Sequence, residues 1–137
     1  MVKKKNIAVF ISGRGSNLKA LIKYSKKKYY PINIKLIISN NINAKGIEYA
    51  KKEKIKFYVF NFKNVNAAEG KILKKLNKFN IELICLAGFM KILSKKFINK
   101  FGFPILNIHP SLLPKYRGLN THKRVLKNKE KFSGSTV

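Results

Sequence analysis

The stretch Asn107-Ile108-His109-Pro110-Ser111-Leu112-Leu113-Pro114 sets an amide and an imidazole two positions apart. Alternate side chains of an extended backbone share a side, so at a strand end the two would project together. An Asn amide can donate to a developing oxyanion, and an imidazole that titrates near neutrality can accept or return the proton that acyl transfer must move. Asn107 and His109 are thus candidate catalytic residues for attack on a carbonyl. The competing reading of His109 is a hydrogen-bonded structural residue, and His122, at a predicted helix start, is read as structural. Pro110 and Pro114 stiffen the loop, and either X-Pro bond can be cis.

Two further stretches carry chemistry. Ser12-Gly13-Arg14-Gly15-Ser16-Asn17 follows the apolar run Ile7–Ile11 and precedes a helical pattern. Unpaired backbone N–H groups and the helix dipole favour an anion there, which makes Gly15, Ser16 and Asn17 candidates for holding a phosphate. The dinucleotide fingerprint needs another glycine where this chain has Leu18, so NAD and FAD are disfavoured. The alternative is a tight turn with Ser16 or Asn17 capping the helix. Ala87-Gly88-Phe89-Met90-Lys91-Ile92-Leu93 leaves another apolar run with no clear period. It suits the pocket of a flat aromatic ligand, the alternative being ordinary core. Cys85, the single cysteine, excludes a disulfide framework and a cysteine-based zinc site. It reads as a buried small hydrophobe, because no His or cation adjoins it in sequence to lower its pKa.

The elements that must position these stretches follow from periodicity. Strands are predicted at Ile7–Ile11, Ile34–Ile38, Phe57–Phe60, Ile81–Leu86 and Ile105–Ile108. Between them, Leu18, Leu21 and Ile22, then Ala44–Lys54, then Ile72, Leu73, Leu76 and Phe79, then Ser94–Phe101 read as helices. A last helix runs from Leu119 to Lys129, and Gly134–Val137 looks like the start of another strand. Continuous apolar strands alternating with amphipathic helices predict an α/β fold, a parallel sheet covered by helices on both faces. Ligands of such sheets bind beyond the carboxyl ends of the strands, where all three chemistry-bearing stretches fall.

The chain of 137 residues suits one domain. Its formal net charge of +26 invites a nucleic-acid reading. The cations, however, are 28 Lys and only three Arg, Arg14, Arg117 and Arg124, whereas bidentate phosphate and base contacts favour Arg. Lys, Asn and Ile all have A/T-rich codons, so base bias accounts for the composition without functional pressure. The five acids are glutamates, Glu48, Glu53, Glu69, Glu82 and Glu130, so a mechanism needing Asp finds none in these residues. No apolar stretch reaches transmembrane length, and Met1-Val2-Lys3-Lys4-Lys5 leads into a strand with no small-residue cleavage site. The expectation is a soluble, cytoplasmic protein.

Three motifs, Ile11–Leu18, Leu86–Leu93 and Asn107–Gly118 with Leu119-Asn120-Thr121-His122 after it, occur in the order and at the spacing of one family. From about Asn6 to Val137 the chain resembles phosphoribosylglycinamide formyltransferase, or glycinamide ribonucleotide transformylase, of the folate-dependent formyltransferases. Related enzymes acting on methionyl-tRNA share a His-x-Ser-Leu-Leu-Pro core, as a rule with Gly where this chain has Pro110 and without the later Thr-His. The resemblance implies a Rossmann-like formyltransferase fold over residues 1–137, a single domain whose C-terminal part is missing. It implies transfer of the formyl group of 10-formyltetrahydrofolate, a co-substrate, to the amine of glycinamide ribonucleotide in purine biosynthesis, with no metal. Gly15, Ser16 and Asn17 would then hold the ribonucleotide phosphate end. Met90, Lys91, Ile92 and Leu93 would line the reduced-folate site, and Asn107 and His109 would be the catalytic pair, Asn107 also touching the formyl group. The family places a catalytic Asp beyond Gly134, and these residues end first. A basic residue that the family uses toward folate aligns near Val65, with Lys63 the nearest cation. The alternatives are an inactive truncated relic, a basic nucleic-acid-binding module, and formyl transfer to methionyl-tRNA. No membrane partner is expected, and no oligomeric state is read from the sequence.

Overall fold

The structure, a computed structural model, describes residues 3–137. Met1 and Val2, the head of the basic lead segment, lie outside the described residues. Along the chain come β1 (Lys5–Ile11), α1 (Ser16–Ser25), β2 (Ile32–Ser39), α2 (Gly46–Lys52), β3 (Lys56–Val59), α3 (Val65–Lys78), β4 (Leu83–Leu86), α4 (Lys95–Phe101), β5 (Ile105–Asn107) and α5 (Thr121–Lys127). They fall into two compact units that meet in sequence between Leu106 and Asn107.

The first unit is the α/β sheet that the periodicity predicts. Its strand order is β3-β2-β1-β4-β5, and β1 pairs in parallel with β2 and β4, as β2 does with β3. β1 has no polar face because helices cover both of its sides. Ala8 and Phe10 pack with Ala68, Ile72 and Leu76 of α3 and Phe97 and Phe101 of α4. Ile7, Val9 and Ile11 pack with Leu18 and Ile22 of α1 and Ile47 and Ala50 of α2. All five of these β1 side chains are 0% exposed. Full burial of each of the large ones stabilises the fold by roughly 1.5–3 kcal/mol relative to exposure.

β2 departs from strict alternation. Ile7 pairs with Ile34 but Ala8 with Leu36, so Lys35 is an extra residue in the ladder. That bulge puts Ile34 in the α1/α2 core and Leu36 in the α3/α4 core, although two residues apart they would otherwise share a face. Helix starts are set locally. Asn64 caps α3 by accepting from Ala67 N–H at 3.0 Å, and Ser94 caps α4 by accepting from Phe97 N–H at 3.0 Å.

In the second unit the expected strand at Gly134–Val137 is a single antiparallel bridge, His109 to Thr136. Thr136 saturates its bonding in that short contact: its Oγ1 donates to Ser111 O at 2.7 Å and accepts from Leu113 N–H at 3.1 Å. The Leu113–Pro114 bond is cis. Among the described residues no helix is long and apolar enough to cross a membrane.

Candidate active site

The turn between β1 and α1 is built on two glycines in contact. Gly15 has φ of 76°, and a Cβ there would stand 2.6 Å from the Cα of Gly46, at the start of α2. Gly46 N–H donates to Gly13 O at 3.0 Å, so α2 holds the turn from behind. α1 starts at Ser16, two residues before the apolar stripe announces it, and Gly15 is its cap residue with no side-chain bond. Neither Ser16 nor Asn17 caps the helix, so the capping expected of them is not made, while the tight turn is. The first turn of this ten-residue helix has no side-chain cap, and no acidic side chain stands in it.

Beside this turn a cleft of about 530 Å³ is lined by Ser12, Asn40, Asn41, Asn61, Phe62, Lys63, Met90 and Lys91. These residues follow the ends of β1, β2, β3 and β4, so the cleft lies along the carboxyl edge of the sheet. Sequence reasoning singled out the loops after β1 and β4 and missed Asn40, Asn41 and Asn61. Their signal was position alone, polar residues directly after a buried strand. Ser12 Oγ donates to Asn40 Oδ1 at 2.5 Å and accepts from Met90 N–H at 2.8 Å, which joins the two loops. A larger cavity, about 800 Å³, is lined by Leu73, Leu76, Ile81, Phe101 and Phe103 among others. It sits at the amino end of β4, the opposite end from the loops after β1 and β4.

The apolar run after β4 divides into packed and exposed residues. Phe89 and Leu93 pack against the α3/α4 core, Phe89 meeting Phe10 edge-on with ring centroids 5.3 Å apart. Met90 is 66% exposed and Ile92 92% exposed, so these two apolar side chains face away from the interior. Lys91 is exposed between them.

β5 ends at Asn107, the first residue of the second unit, so His109 lies beyond the strand and is fixed by its bridge instead. His109 N–H donates to Thr136 O at 2.8 Å, and His109 O accepts from Thr136 N–H at 2.9 Å. Its ring Nε2 is 3.0 Å from Tyr116 O. A carbonyl only accepts, so Nε2 carries the hydrogen, and in the neutral ring Nδ1 holds the free lone pair. Tyr116 has φ of 56°, and its phenol donates to Glu130 Oε1 at 2.8 Å, where Lys115 Nζ also donates at 3.1 Å. These two bonds, with the Lys115 charge, hold the Glu130 carboxyl below its ordinary value, and the same Tyr116–Glu130 bond raises the phenol. Asn107 and His122 are exposed. Burial raises the Cys85 thiol, as expected of a packing residue. Among the described residues no group of three or more His, Cys, Asp or Glu is placed to hold a metal.

The sequence model of the Formyl transferase family matches residues 5–137. The chain belongs to the formyl transferase family. A phosphoribosylglycinamide formyltransferase of Haemophilus influenzae is 44% identical over 136 residues, 97% of this chain and 64% of that protein. The trifunctional purine biosynthetic protein adenosine-3 of Gallus gallus is 42% identical over 137 residues, 98% of this chain and 14% of that protein. Among solved structures, phosphoribosylglycinamide formyltransferase from Brucella melitensis superposes with a TM-score of 0.92 at 40% identity, covering 98% of this chain and 71% of that one. The chain thus spans less than two thirds of the length of the first two relatives. The Rossmann-like formyltransferase fold expected from the motifs is the one observed, and the match runs through all three of them.

Proposed function

We propose that this formyl transferase chain moves the formyl group of 10-formyltetrahydrofolate to the amine of glycinamide ribonucleotide, in the cytoplasm, as one domain over residues 1–137. The observation that carries the reading is the uncapped, acid-free start of α1 behind the Gly15–Gly46 contact, which suits the phosphate end of a ribonucleotide. Gly15, Ser16 and Asn17 bind that phosphate. Met90, Lys91, Ile92 and Leu93 receive the reduced folate, the exposed Met90 and Ile92 offering apolar contact to its flat ring system and Leu93 anchoring the segment on the core. The amine nitrogen attacks the formyl carbon and forms a C–N bond, while the carbonyl electrons move onto oxygen. Asn107 donates a hydrogen bond to that oxyanion. His109 takes the proton from the newly cationic nitrogen at Nδ1 and delivers it to the departing folate nitrogen as the old C–N bond breaks. The products are the formylated ribonucleotide and tetrahydrofolate. The scheme uses no metal.

The test is transfer by the purified chain from 10-formyltetrahydrofolate to glycinamide ribonucleotide, with methionyl-tRNA as the competing acceptor. Transfer to the ribonucleotide alone, abolished by His109→Ala, supports the reading. Transfer to the tRNA alone overturns the choice of acceptor. Binding of both substrates without turnover supports the two binding loops and overturns the claim that Asn107 and His109 suffice without the aspartate that the family places beyond Gly134. Binding of RNA that falls steeply with salt and survives His109→Ala, with no folate binding, would establish the nucleic-acid reading instead.

A further inference from the structure

Met90–Leu93, assigned above to the folate, is gripped at both ends by side chains from elsewhere in the sheet unit. At the front, Met90 N–H donates to Ser12 Oγ at 2.8 Å. That hydroxyl is not free to swing, because it donates in turn to Asn40 Oδ1 at 2.5 Å and Asn41 Nδ2 donates to Ser12 O at 3.2 Å. The loop carrying both asparagines is itself braced: Ser39, 1% exposed, donates through Oγ to Asn41 O at 2.8 Å and accepts from Asn41 N–H at 3.1 Å. At the back, Glu69 of α3 is 4% exposed and commits both carboxylate oxygens to one residue. Ser94 N–H donates to Oε1 at 2.7 Å and Ser94 Oγ to Oε2 at 2.5 Å. A buried carboxylate is tolerated only when hydrogen-bonded, and this one is satisfied by the residue that ends the segment and caps α4.

We propose that Ser12 and Glu69 are positioning residues for the folate segment, a role that rests on the functional reading above. Met90 and Ile92 are too exposed for packing to fix them, so with Phe89 and Leu93 packed on the core the two amides at the ends of the segment set where these exposed side chains stand. Ser12 directly precedes the phosphate turn, yet that turn has its own support in the Gly46 N–H bond and the Gly15–Gly46 contact. Loss of the Ser12 hydroxyl therefore frees the folate segment and spares the phosphate turn. This asymmetry distinguishes positioning from general destabilisation.

The experiment compares Ser12→Ala, Ser12→Thr and Ser94→Ala with the unsubstituted chain, Ser94→Ala removing one of the two bonds to Glu69 while leaving the buried carboxylate in place. Two readouts are used: amide hydrogen exchange at Met90 and Ser94, and titration with 5-formyltetrahydrofolate and, separately, glycinamide ribonucleotide. Losing one such bond should speed exchange at Met90 and weaken the folate about five-fold in Ser12→Ala. Ribonucleotide affinity should stay within about two-fold, and Ser12→Thr should restore the folate. Ser94→Ala should act in the same direction at the back of the segment. Unchanged exchange at Met90, equal weakening of both ligands, or faster exchange with unchanged folate affinity would each overturn the proposal. If the unsubstituted chain binds no folate, the functional reading fails by itself, and exchange at Met90 still decides whether the grip exists.

Discussion

Gly15 offers a perturbation whose cost can be worked from geometry and separated into parts by two other glycines. Gly15→Ala meets two penalties. At φ of 76° an L side chain costs about 1–2 kcal/mol. Its Cβ would also stand 2.6 Å from the Cα of Gly46, backbone that cannot rotate away, and forced overpacking costs about 1–3 kcal/mol more. The expected loss is about 2–5 kcal/mol, a large fraction of the 5–15 kcal/mol typical of a small domain. Gly118→Ala carries only the first penalty, because φ is 80° with nothing within 4 Å, and should cost about 1–2 kcal/mol. Gly13→Ala carries neither and should stay within about 0.5 kcal/mol of the parent. Urea unfolding of the three variants, read as midpoint shifts at constant m, gives the ranking. If Gly15→Ala is no more destabilising than Gly118→Ala, the α2 contact is not what shapes the anion turn and the reasoning fails.

Two predictions concern ionisable groups. Because Tyr116 and Lys115 hold the Glu130 carboxyl below its usual 4.5, the stabilisation it lends is present above that value and is lost as pH falls through the lower, folded value. An NMR titration of the Glu130 side chain should show a midpoint below 4.5 that rises in Tyr116→Phe, and an unchanged midpoint would remove the clamp from the account. Because burial raises the Cys85 thiol above 9.0, iodoacetamide should modify it more slowly than a small free thiol at pH 8, catching up as pH rises or urea is added. Rapid stoichiometric labelling in the folded state would show that it is not a packing residue.

How much of this was legible in the sequence depended on whether the signal was local. The β1 run of Ile7–Ile11 could be read because burial on both faces leaves no polar position, and the alternation of such runs with helices gives the parallel sheet. The bulge at Lys35 could not, since a lysine between Ile34 and Leu36 is also what simple alternation would show; only pairing with β1 reveals that it shifts the register. Likewise Gly15 was visible as a turn glycine, but its reason, the Cα of a second glycine 31 positions later, is a long-range fact. Asn107 and His109 were singled out as candidates from residue type and spacing, while the bridge to Thr136 and the Tyr116 carbonyl that fix His109 were not legible. The hardest residue to read was Glu69. On sequence it is one acid in a lysine-rich amphipathic helix, where a solvated charge is the natural expectation. Its burial follows from a partner 25 residues away, Ser94, which the sequence placed at the start of a helix and the structure makes that helix's cap. A cap serine needs its hydroxyl oxygen for the helix N–H, which leaves the hydroxyl hydrogen and its own amide to be satisfied together. A carboxylate meets both demands at once, so a cap serine beginning a helix beneath an exposed apolar loop is itself a reason to look for a buried acid.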